Sequence, residues 1–447
     1  MCVRQSHVGD PSVGIERLTM PKLEWRPWLV LAAFGLLQAL ISVSTYTALG
    51  IALPLMVHDQ HWNWTEAGFG FTVIGGCIGA SSYLPAILIR RFGVRFTLLL
   101  GTTLVAGGLG VLSMTRGLTP YYLGAALCGV GYQMMALIPA SHVLSALFRR
   151  RSSVLGVYFT LASALSAAGP LAVLGLLNLL HNDWRMLWLI ETAVALGVGS
   201  VCALVTGGPA WLTRASAAMD QKLAAERAKP ERSRRSAAQA DWTMARAVRS
   251  PQFYVLVGAY FGHLICLSTI ASFSMAHLTQ RGVSPMVVGT MLTIEAVAGM
   301  AWRLAAGIVG DFFDARYLLV FALASLVVGM TALSGAHGYP SLIVFAMGTG
   351  IGVTITPLAV MVLAVDYYGR SHNLEIFSTI CLVGTASALG PTIGGLMRDH
   401  FGGFASTFQL FAVLNAAACL AAVFMRPPCP GAAPAMAEPQ PRFEPAL

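Results

Sequence analysis

The chain has 447 residues, 56% hydrophobic and 11% charged, with a net charge of +9 and a mean hydropathy of +0.70. Soluble domains carry about 25% charged residues, so this composition excludes an ordinary water-soluble domain and places most of the chain against lipid or other helices. The only lysines are Lys22, Lys222 and Lys229, and none follows a glycine-rich loop, which excludes a P-loop nucleotide site.

Cutting at charges, prolines and polar clusters yields twelve apolar spans, at 27–56, 66–89, 96–115, 119–148, 153–180, 186–207, 252–280, 285–310, 316–336, 340–365, 374–397 and 403–425. Each is near or above the roughly 20 residues a helix needs to cross the hydrocarbon core. The expected fold is an all-α polytopic membrane protein. Residues 1–26 are polar and form an expected N-terminal tail, with Met20 an alternative start and no cleavable signal evident.

The first span carries a polar patch, Ser44-Thr45-Tyr46-Thr47, in a lipid-length run. Tyr46 is therefore a candidate hydrogen-bond partner for a bound solute, as is Gln133 in the fourth span; hydrogen bonding between helices is the alternative for both. After six spans comes 208–250, Ala-rich and basic around Arg232-Ser233-Arg234-Arg235. It is expected to be a linker between an N-terminal unit, 27–207, and a C-terminal unit, 251–426. His263 lies mid-span in the seventh segment, a candidate for substrate contact or proton relay, with a packing histidine as the alternative.

The eighth span holds the most informative charges. Arg303 and Glu295 are the only charged residues of Val287–Gly310. A charge at the bilayer centre costs about 2.5–3.5 kcal/mol on insertion scales, and such residues usually mark a substrate or ion path. Arg303 and Gly307 share one helix face, one turn apart. Glu295 lies eight residues the other way, rotated from Arg303 by about 80°, so a direct pair between them is not expected. Its expected role is a coupling carboxyl, since intramembrane acids serve proton relays; an acid facing a wet vestibule is the alternative. The eight cysteines are scattered, with no CxxC and no metal-ligand spacing, so no cofactor is expected. The tail 427–447, rich in Pro and Ala, is expected to be disordered.

The two halves repeat. Arg95 and Arg316 are 221 residues apart; Gly169-Pro170 and Gly390-Pro391 share that offset, and so do Arg149 and Arg370. One offset at three separated places argues for duplication of a six-helix unit, an architecture that puts a substrate site between the halves. With both termini inside, inner segments hold 23 of the 28 Lys and Arg and outer loops four, Arg116, Arg185, Arg281 and Arg398. The positive-inside rule then gives an N-in, C-in topology. The positive charge needs no nucleic acid to explain it.

The chain resembles the major facilitator superfamily over 27–425. The loop signature of that family is Gly-x-x-x-Asp-Arg-Phe-Gly-x-Arg. The second copy here carries Gly307, Asp311 and Arg316; the first keeps Arg91, Phe92, Gly93 and Arg95 but has Ala86 for the glycine and Arg90 for the aspartate. The resemblance implies two six-helix bundles and a cytoplasmic gate at these residues, with Asp311 taking more of the locking. Within the superfamily the chain looks most like the monocarboxylate and oxalate–formate transporter group. The segments are Trp62-Asn63-Trp64-Thr65-Glu66, Phe148-Arg149-Arg150-Arg151, Asn182-Asp183-Trp184-Arg185, Ala245–Phe253, His277-Leu278-Thr279-Gln280, and Arg303 followed by Gly307 and Asp311. This implies that Arg303 binds a carboxylate. In the resembled animal carriers an acid stands one turn before that arginine; here the position is Gly299.

The expected function is secondary transport of a small organic anion, expected to be a monocarboxylate, by alternating access with proton coupling. The carrier is expected to be no enzyme, a monomeric functional unit, and resident in the inner or plasma membrane. A drug-efflux antiporter of the same superfamily and a non-transporting membrane sensor are the alternatives. Gly390-Pro391-x-x-Gly394-Gly395 resembles the exporters' antiporter motif, but it sits in the eleventh span rather than the fifth.

Overall fold

The computed structural model describes residues 25–148, 151–206, 244–309, 314–369 and 373–427. Among the described residues run twelve helical segments, which we number α1 to α12. They are α1 (Trp25–Gln60), α2 (Trp64–Ala80, then Leu84–Phe92), α3 (Val94–Ser113), α4 (Leu118–Leu147), α5 (Arg151–Ala167, then Gly169–Leu179), α6 (Trp184–Val205), α7 (Pro251–Gln280), α8 (Pro285–Val309), α9 (Ala315–Ser334), α10 (Tyr339–Tyr368), α11 (Asn373–Gly384, Thr385–Leu389, Gly390–Phe401) and α12 (Ala405–Phe424). Among the described residues eleven are long and apolar enough to span a bilayer unaided, and the two helices of α2, bent by 50°, meet the same test when taken together. Most of the expected linker and both tails lie outside the described residues; Met244–Ala247 forms a short helix leading into α7.

The repeat is visible in the helix boundaries. Starts at 64, 94, 118, 169 and 184 recur at 285, 315, 339, 390 and 405, each 221 residues on. Local chemistry sets these starts. Asn63 stands at the N-cap of α2, and its amide donates to the Glu66 carboxylate at 3.0 Å. Asp183 accepts from the amides of Arg185 and Met186 at the head of α6, at 2.9 and 3.2 Å. Asp314 does the same for Arg316 at α9, at 2.9 Å. Such caps satisfy orphan N–H groups and are worth about 1 kcal/mol each.

Within each half, small residues let helices approach closely, the packing mode available where lipid tails remove the hydrophobic drive. A Cβ on Gly329 of α9 would meet the Thr349 amide of α10, and one on Gly348 would meet the Gly329 backbone. Gly108 holds the matching place in the first half, against Gly124 and Cys128. The halves meet along α2 with α11, α1 with α7, and α5 with α8. We call the end of the bundle that carries 90–95, residues 206 and 244 and the end of α12 the linker face, and the other end the far face.

Candidate functional site

A cavity of 530 Å³ lies between the halves. Ser42, Tyr46 and Thr47 of α1 and Tyr132 of α4 line one side; Tyr260 of α7 and Cys381 of α11 line the other. The polar groups of the first half are tied together. Gln38 donates to Ser42 at 3.1 Å and to Tyr132 at 3.0 Å, and Tyr158 of α5 donates to the Gln38 carbonyl at 3.0 Å. Ser42 and Tyr132 are also 3.2 Å apart. Opposite them, the Cys381 thiol reaches the Tyr260 hydroxyl at 3.6 Å. Tyr46 stands edge-on to Tyr132, centroids 6.1 Å apart.

A second cavity of 230 Å³ adjoins the first, sharing Thr47, Leu267 and Ala271 as lining. Glu295 opens into it together with Ser166, Ser274 and Thr354. Glu295 is half-buried on α8. Gly299, one turn on, packs so closely on Gly350 and Thr354 that a Cβ there would strike both. The missing acid at position 299 thus has a packing reason: α8 and α10 touch there.

Arg303 lies outside the lining of both cavities. It is half-buried on α8, and its Nη1 donates across the inter-half boundary to Ser163 of α5 at 3.2 Å. Among the described residues it has no carboxylate partner; the ion pair of Arg185 with Asp59, at 3.1 Å, belongs to the far face. His263 is buried, within electrostatic reach of Arg303, in ring contact with Tyr260 at 5.7 Å, and its Nδ1 has no hydrogen-bond partner among the described residues. The sequence candidates are therefore split into three neighbouring groups: Tyr46 in the larger cavity, Glu295 in the smaller, and Arg303 with His263 beside them. Gln133 is not part of the lining; its neighbour Tyr132 is, because residues one apart on a helix differ by about 100°.

The gate-motif residues sit at the linker face. Arg90 and Arg91 end α2 near its surface, Arg91 lying over Phe92 at 5.4 Å. Gly93 turns the chain with φ +86°, a conformation glycine adopts without a Cβ clash. Arg95 is exposed on the first turn of α3, and Gly307 falls in the last turn of α8. Asp311 lies outside the described residues. Arg316 binds within its own half, donating Nε to the Ala422 carbonyl at 3.2 Å and Nη2 to Val423 at the end of α12. That is where a cation best meets a helix's unpaired carbonyls.

The far face is closed by α2 against α11. The Asp399 carboxylate accepts from the Trp64 amide at 3.2 Å, the Thr65 amide at 2.8 Å and the Thr65 hydroxyl at 2.6 Å. An acid of the second half thus caps a helix of the first. Deeper in, Thr72 donates to the Ala388 carbonyl at 2.7 Å and meets Thr392 at 2.7 Å. Gly395 abuts the Trp64 backbone, and Gly68 abuts Pro391.

Asp399, Tyr132 and one further group are absent from the sequence-based candidates. The further group is Glu191, 8% exposed in α6, which accepts a hydrogen bond from Ser44. A lone acid inside Trp184–Val205 carries the same sequence signal as Arg303. Asp399 carries no such signal, because a polar residue at a span end is ordinary.

The family model described as "Major Facilitator Superfamily" matches residues 35–304 and 256–445. Monocarboxylate transporter 13 of Bos taurus is 25% identical over 346 residues, covering 73% of this chain and 72% of its own. Monocarboxylate transporter 6 of Mus musculus is 23% identical over 417 residues, 86% of this chain and 83% of its own. A shorter similarity, 29% over 156 residues, joins 34% of the chain to 32% of the methylenomycin A resistance protein of Bacillus subtilis (strain 168). Among solved structures, the nucleoside transporter NupG superposes with a TM-score of 0.66 at 12% identity, over 89% of this chain and 98% of that one. The D-xylose-proton symporter gives 0.65 at 14% identity, over 89% and 97%. These two share the fold. With twelve spanning segments, a 221-residue repeat and a cavity between the halves, the chain belongs to the Major Facilitator Superfamily.

Proposed function

We propose that this transporter carries a small monocarboxylate by proton-coupled alternating access, with Arg303 as the anion anchor. The observation that carries the reading is the guanidinium itself. It is half-buried at the boundary between the halves, held by one neutral hydroxyl, and without a carboxylate among the described residues. A planar fork in such a place suits a carboxylate, which it can bind with two parallel hydrogen bonds. The two relatives named as monocarboxylate transporters support the same class of substrate.

Alternating access is supported by the asymmetry of the closures. The far face is sealed by α2 and α11, while Arg316 is engaged within its own half, leaving the gate motif of the linker face for the opposite state. Glu295 is the proposed proton carrier, being a carboxyl that opens into a cavity contiguous with the central one; His263, whose Nδ1 has no hydrogen-bond partner among the described residues, is the second group of the relay. A proton moving with the anion offsets the cost of carrying negative charge against an inside-negative potential. In this reading the linker face is cytoplasmic, the protein sits in the cell membrane, and one chain is the functional unit. Basic charge on the linker-side segments supports that orientation.

An exporter of hydrophobic compounds is the competing reading. The uncharged lining of the 530 Å³ cavity and the short similarity to a resistance protein favour it. Uptake of radiolabelled acetate, lactate and pyruvate into proteoliposomes under an imposed pH gradient separates the two. Gradient-driven uptake by the wild type that Arg303→Ala abolishes supports the carboxylate carrier. Uptake undiminished in Arg303→Ala, or no uptake beside active dye efflux, overturns it.

A further inference from the structure

Glu191 sits mid-way along α6, a helix that lines neither cavity. Its carboxyl is buried, and among the described residues its one hydrogen-bond partner is Ser44, itself 1% exposed. Ser44 belongs to Val43–Thr47, where α1 widens into a π turn. Such turns insert a residue into a helix and recur at functional sites. This one lies where α1 faces the central cavity: Ser42 before it, and Tyr46 and Thr47 within it, all contribute to the lining.

Ser44 bonds differently from several buried threonines of the same helical bundles. Thr102, Thr269 and Thr349 each donate to the carbonyl four residues back, at 2.8, 2.7 and 2.7 Å, and their helices stay α-helical. Ser44 gives its proton to Glu191 instead. A buried carboxyl without a partner is costly, so the pair holds α1 to the geometry that lets them meet. The second half supplies an internal control. The positions 221 residues on are Ile265 and Ala412, buried at 3% and 5% exposure, and α7 runs as unbroken α-helix through the first of them. The half that lacks the acid and the hydroxyl also lacks the π turn.

We propose that Glu191 is a positioning residue: through Ser44 it holds the π turn of α1 and so sets where Ser42, Tyr46 and Thr47 stand in the substrate cavity. The functional consequence rests on the proposed carboxylate transport, with the central cavity taken as the substrate's route past Tyr46 to Arg303. The conformational part does not, and the test separates them.

The experiment places 3-fluorotyrosine at position 46 and records its ¹⁹F resonance, alongside the KM for the best-transported of the three monocarboxylates. Glu191→Leu and Ser44→Ala remove the bond from either side; Glu191→Gln keeps an acceptor of the same shape. The expected result is a displaced resonance and a KM raised roughly tenfold in Glu191→Leu and Ser44→Ala, with both near wild type in Glu191→Gln. Where Glu191→Leu fails to fold, Ser44→Ala carries the measurement. An unmoved resonance in the folded bond-removing variants overturns the proposal. A displaced resonance with unchanged KM supports the positioning role and overturns the substrate reading of the cavity.

Discussion

Asp399 offers the sharpest test of how this carrier closes. It belongs to the second half, yet its carboxylate caps the first turn of α2 through three hydrogen bonds of 3.2, 2.8 and 2.6 Å. On the proposed alternating-access cycle these bonds are made in the far-closed state and broken in the far-open one, so removing them is expected to destabilise the first and leave the second untouched. Losing a cap costs about 1 kcal/mol, and losing an anion at a helix N-terminus about 0.5 kcal/mol at an exposed site. The Thr65 hydroxyl bond adds about 0.5 kcal/mol. The total, about 2 kcal/mol, corresponds to a roughly 30-fold shift toward the far-open state, at about 1.4 kcal/mol per tenfold. Asp399→Asn keeps the acceptor and loses the charge, so its shift is about twofold. Cys381, which lines the central cavity, is the natural reporter. In a variant retaining it as the only cysteine, a membrane-impermeant thiol reagent added at the far face reacts at a rate set by the open population. Asp399→Ala is expected to raise that rate roughly 30-fold. An unchanged rate in folded Asp399→Ala would refute the assignment of Asp399 to the closure.

Arg303→Lys keeps the charge and loses the planar fork, so KM for a monocarboxylate is expected to rise about tenfold, against loss of measurable uptake in Arg303→Ala; radiolabelled uptake reads both. Glu295→Gln is expected to abolish proton-driven accumulation while preserving exchange of labelled for unlabelled substrate across the membrane, as counterflow assays would register. Gly329→Val puts a side chain against the α10 backbone, and overpacking of this kind costs about 1–3 kcal/mol. A lower melting temperature in detergent is expected, and an unchanged one would contradict the close approach of α9 and α10.

Much of the fold was legible because the signals are one-dimensional. Lipid demands long apolar helices with internally satisfied backbones, so the spans can be counted from composition alone. Duplication leaves a fixed offset, and the helix starts obey it. Arg303 and Glu295 were legible for the same reason: a charge stands out in an apolar run. Gln133 shows the limit. Choosing it over Tyr132 requires the rotation of α4 about its own axis, which neighbours set and which a span with low amphipathicity does not announce. Asp399 was hidden because its value lies in a contact 335 residues away along the chain.

The amino-acid sequence by itself determined the class, the twelve spans, the two-fold repeat and the presence of an intramembrane cation, since each follows from hydropathy, spacing or charge along a line. Tertiary structure alone decided which polar groups share a cavity, that α8 approaches α10 so closely that position 299 must be glycine, and that Glu191 reaches Ser44. It also decided which face is shut. These depend on side chains from distant helices meeting at hydrogen-bond distance, where the energies are short-ranged and directional. No periodicity in one helix encodes what its neighbour presents.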